Sequence, residues 1–149
     1  LEMPEREDLI AILAATTGPE APDGENAELS REDVRSMRAL VRTVPVSSDV
    51  LRLVSSLVLA THPSTSWAPE RVRALVRYGA SPRGGQAILL AGKARALLKG
   101  RLFVSEEDVA ALAAPALRHR LILGYEGEAT GVNVDELIAE ALEAARTCA

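Results

Sequence analysis

The stretch that organises this chain reads YGASPRGGQAILLAGKARALLKG and spans residues 78–100. Ser81 and Pro82 predict a helix start, because serine is a favoured N-cap and proline lacks only an amide hydrogen that a first turn leaves unbonded. We expect the helix to run to about Lys99 and to end at Gly100. It is apolar almost all round, and alanines that let another helix approach closely recur at helical spacing: Ala87, Ala91 and Ala94. We therefore expect this to be the central helix of the fold.

Helical periodicity dominates the rest of the chain as well. Helices are predicted over residues 4–16, after the capping boxes that begin at Ser30 and Ser105, after Ser47, over residues 70–78, and after Asn133. The predicted buried stripes are Leu9, Ile10, Ile12 and Leu13; Val34, Met37, Val41 and Val44; Val50, Val54, Leu57 and Val58; Val109, Leu112, Ala113, Ala116 and Leu117; and Leu137, Ile138, Ala141 and Leu142.

Little in the sequence predicts β-structure. Only residues 102–104 have the composition of a strand, and three residues are too few to found a sheet. Residues 124–131 are predicted to form a turn, and residues 17–29 an acidic solvated loop. The expected fold is all-α, a single bundle of six or seven helices.

Composition excludes several classes of protein. The chain has 149 residues, enough for one domain with a core, and 48% of them are apolar, which excludes disorder. Aromatic residues make up only 3%, which argues against a β-sandwich and against base-stacking platforms for nucleic acid. The one cysteine, Cys148, and two histidines predict neither a disulfide framework nor a metal site. Apolar runs fall short of the ~18 residues of a membrane span, so we expect a reduced, cytoplasmic domain.

Charge is segregated along the chain. Residues 1–33 carry a net charge of −8, residues 34–101 carry +10, and residues 102–149 carry −6, within an overall −4. A basic centre between acidic ends predicts either ion pairs between these segments or a surface that faces an anion.

The candidate site is the start of the central helix. Arg83 would stand at its second position, beside first-turn amides that attract anions, and its planar fork of donors suits phosphate oxygens. Gly84 and Gly85 would weaken the helix but allow close approach to the backbone. The alternative is that Arg83 merely pairs with an acid from residues 1–33 or 102–149. Local sequence leaves both interpretations open.

A second basic feature is the stripe formed by Arg31, Arg35, Arg38 and Arg42 on one face of the second helix. A solvated face that pairs with neighbouring carboxylates is the favoured interpretation, and a contact for an acidic protein or nucleic acid is the alternative. The negative net charge and the lack of base-reading groups argue against nucleic acid. His119 is interpreted as a surface group at a helix end rather than as a base.

Catalytic motifs are missing from these residues. Gly92-Lys93 is followed by Ala94, and an alanine stands where a phosphate loop has its first glycine. Neither a strand ending in magnesium-binding acids nor a nucleophile with a histidine partner occurs. These 149 residues are therefore not expected to hydrolyse ATP, or catalyse anything else, by themselves.

One family has these motifs in the same order. The matching pieces are TTG at 16–18, VPVS at 44–47, LVLAT at 57–61, APE at 68–70, GASPR at 79–83, ARALLKGR at 94–101, VSEED at 104–108 and LRHR at 117–120. Together they resemble the C-terminal lid of the MoxR family of AAA+ ATPases, from Met3 to about Leu142, and less closely the lids of magnesium-chelatase ATPase subunits. Residues 4–146 are then the lid domain, and residues 1–3 a cloning remnant and start.

The resemblance implies a role for each residue of the candidate site. Arg83 resembles the sensor-2 arginine that contacts the γ-phosphate of ATP and couples hydrolysis to lid movement, and Ser81, Pro82 and Gly84 flank it as nucleotide-binding residues. Relatives more often have alanine and a small residue at 84 and 85, so we expect a more mobile helix start here.

The resemblance also implies partners. The first is an AAA+ core that supplies Mg²⁺ and the second is a set of neighbouring subunits in a ring. Arg83 would act on the ATP of its own subunit (in cis) or of a neighbour (in trans). The third is a von Willebrand factor A protein, with which the family carries out chaperone-like work. The excess of arginine over lysine indicates a GC-rich bacterial genome.

Overall fold

The computed structural model describes residues 5–17 and 29–147, which divide into two compact units at residues 37 and 38. The described residues form eight helices and one two-stranded sheet, in the order α1 (Arg6–Thr16), α2 (Arg31–Thr43), α3 (Ser48–Ala60), α4 (Glu70–Leu75), β1 (Val76–Tyr78), α5 (Pro82–Leu98), α6 (Glu106–Leu117), β2 (Ile122–Leu123), α7 (Tyr125–Thr130) and α8 (Val134–Thr147). The all-α expectation is confirmed. The expected remnant at 1–3, Cys148 and all but the ends of the acidic loop 17–29 lie outside the described residues.

The first unit contains α1 and the start of α2. As predicted, α2 opens on a capping box: the Asp33 amide donates to Ser30 Oγ (3.1 Å), and the Ser30 amide donates to Asp33 Oδ2 (2.8 Å). These bonds lower the pKa of Asp33. The predicted burial is wrong, however, because the α1 stripe is 39–55% exposed, and Val34 and Met37 are about half exposed. Periodicity identifies an apolar face but does not say what covers it.

In the second unit α3 and α6 contact each other, and α5 and α8 each pack on both of them, so α5 is not the single central helix that the sequence predicts. The buried stripe of α5 is made of small residues and one isoleucine, namely Gly84, Gly85, Ile88, Gly92 and Ala96. Ala87, Ala91 and Ala94, the expected stripe, are only partly buried. A Cβ at Gly92 would lie 3.1 Å from Val104 Cγ1, so glycine permits a closer approach than alanine does. The face of α5 that packs most closely against its neighbours is therefore the one that carries the glycines.

A small sheet replaces the end of a predicted helix. The helix expected over 70–78 ends at Leu75, and Val76–Tyr78 pairs antiparallel with Ile122–Leu123. The Gly124 amide donates to Leu75 O (2.7 Å), which extends this pairing by one bond. Residues 102–104 form no strand, and most of the predicted turn at 124–131 is α7, which brings the helix count to eight. Strand pairing between distant segments has no local signal in the sequence.

The length and composition of the helices in the described ranges can be compared with those of a membrane span. No single helix there is long and apolar enough to cross a bilayer, and only α2 and α3 taken as a bent pair satisfy the length and composition criteria.

A buried carboxylate joins the end of α5 to the start of α6. Asp108 is fully buried and accepts two hydrogen bonds from Arg101, at 2.6 and 2.8 Å, and one from the Ser105 amide at 2.9 Å. Arg95 Nε lies 3.1 Å from the same carboxylate. The predicted capping box at Ser105 is present. The Arg101 guanidinium holds the pKa of Asp108 far below its usual range.

Asp108→Asn is expected to destabilise the chain by about 3 kcal/mol, because it leaves two partly buried guanidinium groups without their carboxylate. The measurement is urea unfolding followed by circular dichroism. The matched control is Asp49→Asn, which removes an exposed pair with Arg52 and should cost less than about 1 kcal/mol. Equal losses from the two variants would contradict this role for Asp108.

The same carboxylate makes stability depend on pH. Its pKa is lowered by folding, so its contribution is complete above the unfolded aspartate value of about 3.9 and is lost as the pH falls below it. The difference in unfolding free energy between wild type and Asp108→Asn should therefore shrink from about pH 5 to about pH 2. Urea titrations across this range measure it, and a constant difference would rule out the linkage.

Candidate functional site

The start of α5 has the backbone geometry that the sequence predicts. Ser81 is the N-cap in an extended conformation (φ −70°, ψ 168°), and Pro82 is the first helical residue. The Ser81 side chain makes no capping hydrogen bond, so its hydroxyl does not occupy the first-turn amides. In this turn the Gly84 amide donates to Ser81 O (2.7 Å) and Pro82 has no amide hydrogen, so an anion at this helix end would be held mainly by the helix dipole and by Arg83.

Arg83 projects from this first turn and is exposed. Among residues 38–147 its guanidinium has neither a carboxylate partner nor a hydrogen-bond partner. The acid-pairing alternative thus finds no partner within residues 102–147. Helix α5 itself contains no acidic residue that could neutralise the guanidinium.

The loop before α5 is fixed by the end of α3. The Ala80 amide donates to Thr61 Oγ1 (2.9 Å), and His62 Nε2 donates to Ala80 O (2.9 Å). Because a carbonyl only accepts, Nε2 must carry the ring hydrogen. Thr61 is fully buried, and its hydroxyl in turn donates to Val58 O (2.7 Å). Both polar groups of Ala80 are therefore satisfied by two consecutive side chains, which we call the Ala80 clamp.

Gly79 is the residue that allows this clamp to close. A Cβ at position 79 would stand 2.5 Å from Thr61 O and 2.8 Å from His62 Cγ. The first contact is with backbone, which cannot rotate away as a side-chain end can. Glycine is thus required here for close approach, and the approach positions the turn from which Arg83 projects.

The two glycines after Arg83 are packed against the protein itself. A Cβ at Gly84 would lie 2.7 Å from Leu117 Cδ2, at the end of α6. A Cβ at Gly85 would lie 3.3 Å from both Val54 and Val58 of α3. The helix start that the sequence predicts to be mobile is therefore confined on two sides. Gly84 has a packing role that the sequence analysis did not anticipate.

The segment after α6 reaches this same helix start. Arg118 pairs with Asp135 through two hydrogen bonds of 3.1 and 2.7 Å, and His119 is exposed. Arg120 is half-buried: its Nε donates to Ala116 O (3.0 Å), and its Cδ lies 3.4 Å from where a Gly84 Cβ would be. The sequence did not predict that Arg120 lies next to the residue that follows Arg83. Its place in the Arg-His-Arg motif was the only signal that pointed to it.

The arginine stripe of α2 remains solvent-exposed. All four of its arginines are exposed, and Arg35 lies 3.6 Å from Glu32. This exposure agrees with a solvated face and with a docking face alike. Within the described ranges, no group of three or more histidine, cysteine, aspartate or glutamate side chains is arranged to hold a metal ion.

The sequence is similar to a described domain family and to MoxR proteins. Residues 68–141 match the family described as AAA lid domain. The chain is 29% identical over 140 residues to the chaperone MoxR1 of Mycobacterium tuberculosis, covering 94% of this chain and 36% of that protein. It is 47% identical over 49 residues to the protein MoxR of Paracoccus denitrificans, covering 33% of this chain and 14% of that protein.

A solved structure supports the same relationship. The crystal structure of a "putative ATPase" from Cytophaga hutchinsonii superposes with a TM-score of 0.74 at 26% identity, covering 96% of this chain and 43% of that one. The chain therefore spans less than half the length of these relatives.

Thr61→Val keeps the shape of the side chain but leaves the Ala80 amide without its acceptor. A buried donor that loses its partner costs about 1–3 kcal/mol, so we expect a loss of that size in urea unfolding. The matched control is Thr130→Val on α7, where the hydroxyl belongs to an exposed residue, donates to Glu126 O and Gly127 O and accepts from no backbone amide, so little change is expected. If the two variants are equally stable, the clamp does not contribute as described.

Proposed function

Because residues 68–141 belong to the AAA lid domain family and the chain is homologous to MoxR chaperones, we propose that it is the lid of a MoxR-type AAA+ ATPase in which Arg83 acts as the sensor-2 arginine. In this role the Arg83 guanidinium contacts the γ-phosphate of ATP. The core of the ATPase supplies the phosphate loop and the Mg²⁺ site, which these residues lack.

The observation that carries the proposal is the unpaired state of Arg83 on a fixed turn. Its backbone follows the Ala80 clamp, and its side chain is exposed without a carboxylate among the described residues. A cation that is already positioned where charge develops on a transferring phosphoryl group stabilises the transition state without reorganising. An arginine engaged by a carboxylate of its own chain would have to break that pair first.

Coupling to lid movement follows from how Arg83 is attached. It stands in the first turn of α5, whose start is packed against α3 and α6 through the two glycines. A pull on the guanidinium is therefore applied to the packed bundle rather than to a free loop. When hydrolysis separates the γ-phosphate from the nucleotide, this attachment is released, and the bundle can move relative to the core.

The wider assembly is part of the proposal. We propose that the lid works in a ring of ATPase subunits with chaperone-like activity in the bacterial cytoplasm, together with a von Willebrand factor A protein; the similarity to MoxR chaperones supports this proposal. Arg83 then serves the ATP of its own subunit or of a neighbouring one.

In the full-length ATPase, Arg83→Ala should lower kcat for ATP hydrolysis by about a hundredfold, because it removes one donor to the developing phosphate charge. Arg83→Lys should recover only part of this, since lysine keeps the charge but not the planar fork. The measurement is steady-state release of phosphate, with thermal unfolding to verify the fold.

The control is Arg52→Ala. Arg52 is exposed and lies near the start of α3, whereas the Ala80 clamp is at the end of that helix, so hydrolysis should be unchanged. Unchanged hydrolysis in Arg83→Ala would refute the sensor role. That result would instead favour the alternative, an adaptor that binds an acidic partner through the stripe from Arg31 to Arg42.

A further inference from the structure

Arg120 lies against the first turn of α5, on the residue that follows Arg83. Its Cδ is 3.4 Å from the position that a Gly84 Cβ would occupy, and Leu117 Cδ2 is 2.7 Å from it. A Cβ at position 84 would therefore clash with Leu117, whereas the stem of Arg120 lies at van der Waals distance from it. A second arginine thus packs beside the helix start.

The Arg120 guanidinium is hydrogen-bonded through its Nε. Its Nε donates to Ala116 O (3.0 Å), and its backbone amide donates to Leu117 O (2.8 Å). Its two terminal amino groups have no hydrogen-bond or ion-pair partner in the described part of the chain. The Nε hydrogen bond therefore holds the guanidinium in place, while its two terminal amino groups remain available as donors to a ligand.

This arrangement differs from that of other arginines in the same unit. Arg118, two residues earlier, pairs with Asp135, and Arg71, Arg101 and Arg146 each engage a carboxylate. A half-buried cation without a counter-charge among residues 38–147 loses hydration that those residues do not replace. An external anion at the two terminal amino groups would supply the missing partner.

We infer that Arg120 is a second phosphate-binding arginine, which donates from its two terminal amino groups to oxygens of the same triphosphate that Arg83 contacts. The inference rests on the proposed function, because it takes ATP as the anion. Each guanidinium can donate two parallel hydrogen bonds to phosphate oxygens, so a second arginine from the segment after α6 adds both a positive charge and a second set of donors to those of Arg83. The competing role is structural: an arginine near a helix end that only binds a last-turn carbonyl, here Ala116 O.

The test uses the full-length ATPase with four changes: Arg120→Met, Arg120→Lys, Arg118→Met and Arg83→Ala. Methionine keeps an unbranched stem over Gly84 but has no charge, whereas lysine keeps both stem and charge. Arg118→Met is the matched control, because it removes a neighbouring arginine that is already paired with Asp135. The readouts are the Kd for the non-hydrolysable analogue adenylyl imidodiphosphate with Mg²⁺, by calorimetry, and the melting temperature without nucleotide.

We expect Arg120→Met to weaken binding of the analogue about tenfold, the loss expected for one charge-assisted hydrogen bond, with a melting temperature like that of Arg118→Met. Arg120→Lys should recover part of the affinity, and Arg118→Met should bind like wild type. Wild-type affinity in Arg120→Met would overturn the inference, as would a loss of affinity that merely follows the melting temperature and that lysine does not recover. If Arg83→Ala weakens binding and Arg120→Met does not, the sensor role stands and only this inference falls. If neither weakens binding, this inference falls, and the sensor role is decided by the hydrolysis rate of Arg83→Ala.

Discussion

The geometry of the second unit depends on one residue, Ala80, whose backbone N–H and C=O are both bound by the end of α3. Thr61 and His62 are consecutive, so they can satisfy this residue only if the loop approaches to within contact of the α3 backbone. Gly79 makes that approach possible. Because Ala80 lies just before the N-cap of α5, the hydrogen bonds fix where the helix begins and therefore where Arg83 stands. A site built on such a helix is held more precisely than one built on a loop.

Local chemistry made much of this structure predictable. The capping boxes at Ser30 and Ser105, the helix start at Ser81-Pro82 and the end at Gly100 each depend on neighbouring residues alone, and all are present. The β1–β2 pairing is different, because it joins segments that are distant in sequence and leaves no periodic signal in either. The contacts of Gly84 and Arg120 were hidden for the same reason: they form between helix ends that only the tertiary fold brings together.

Charge segregation predicted either ion pairs between the segments or a surface that faces an anion, and the structure contains the ion pairs. Arg71, from the basic centre, pairs with Glu136 and Glu140 of the acidic C-terminal segment, and Arg101 engages the buried Asp108. Arg83 has no such partner among the described residues. Net charge by segment cannot distinguish these cases, since it counts groups without saying which of them meet. Only the positions of the helix ends decide which arginines remain available to a ligand.

The glycines of α5 have a consequence for how the second unit unfolds. Gly84, Gly85 and Gly92 each cost a helix interior up to about 1 kcal/mol relative to alanine, so α5 would be a poor helix in isolation. It exists because α3 and α6 occupy the space that the missing side chains leave. The start of α5 therefore cannot remain folded once the hydrophobic interior around it is lost. Partial melting of the second unit would abolish both together, so the turn that carries Arg83 is no separable part of that unit.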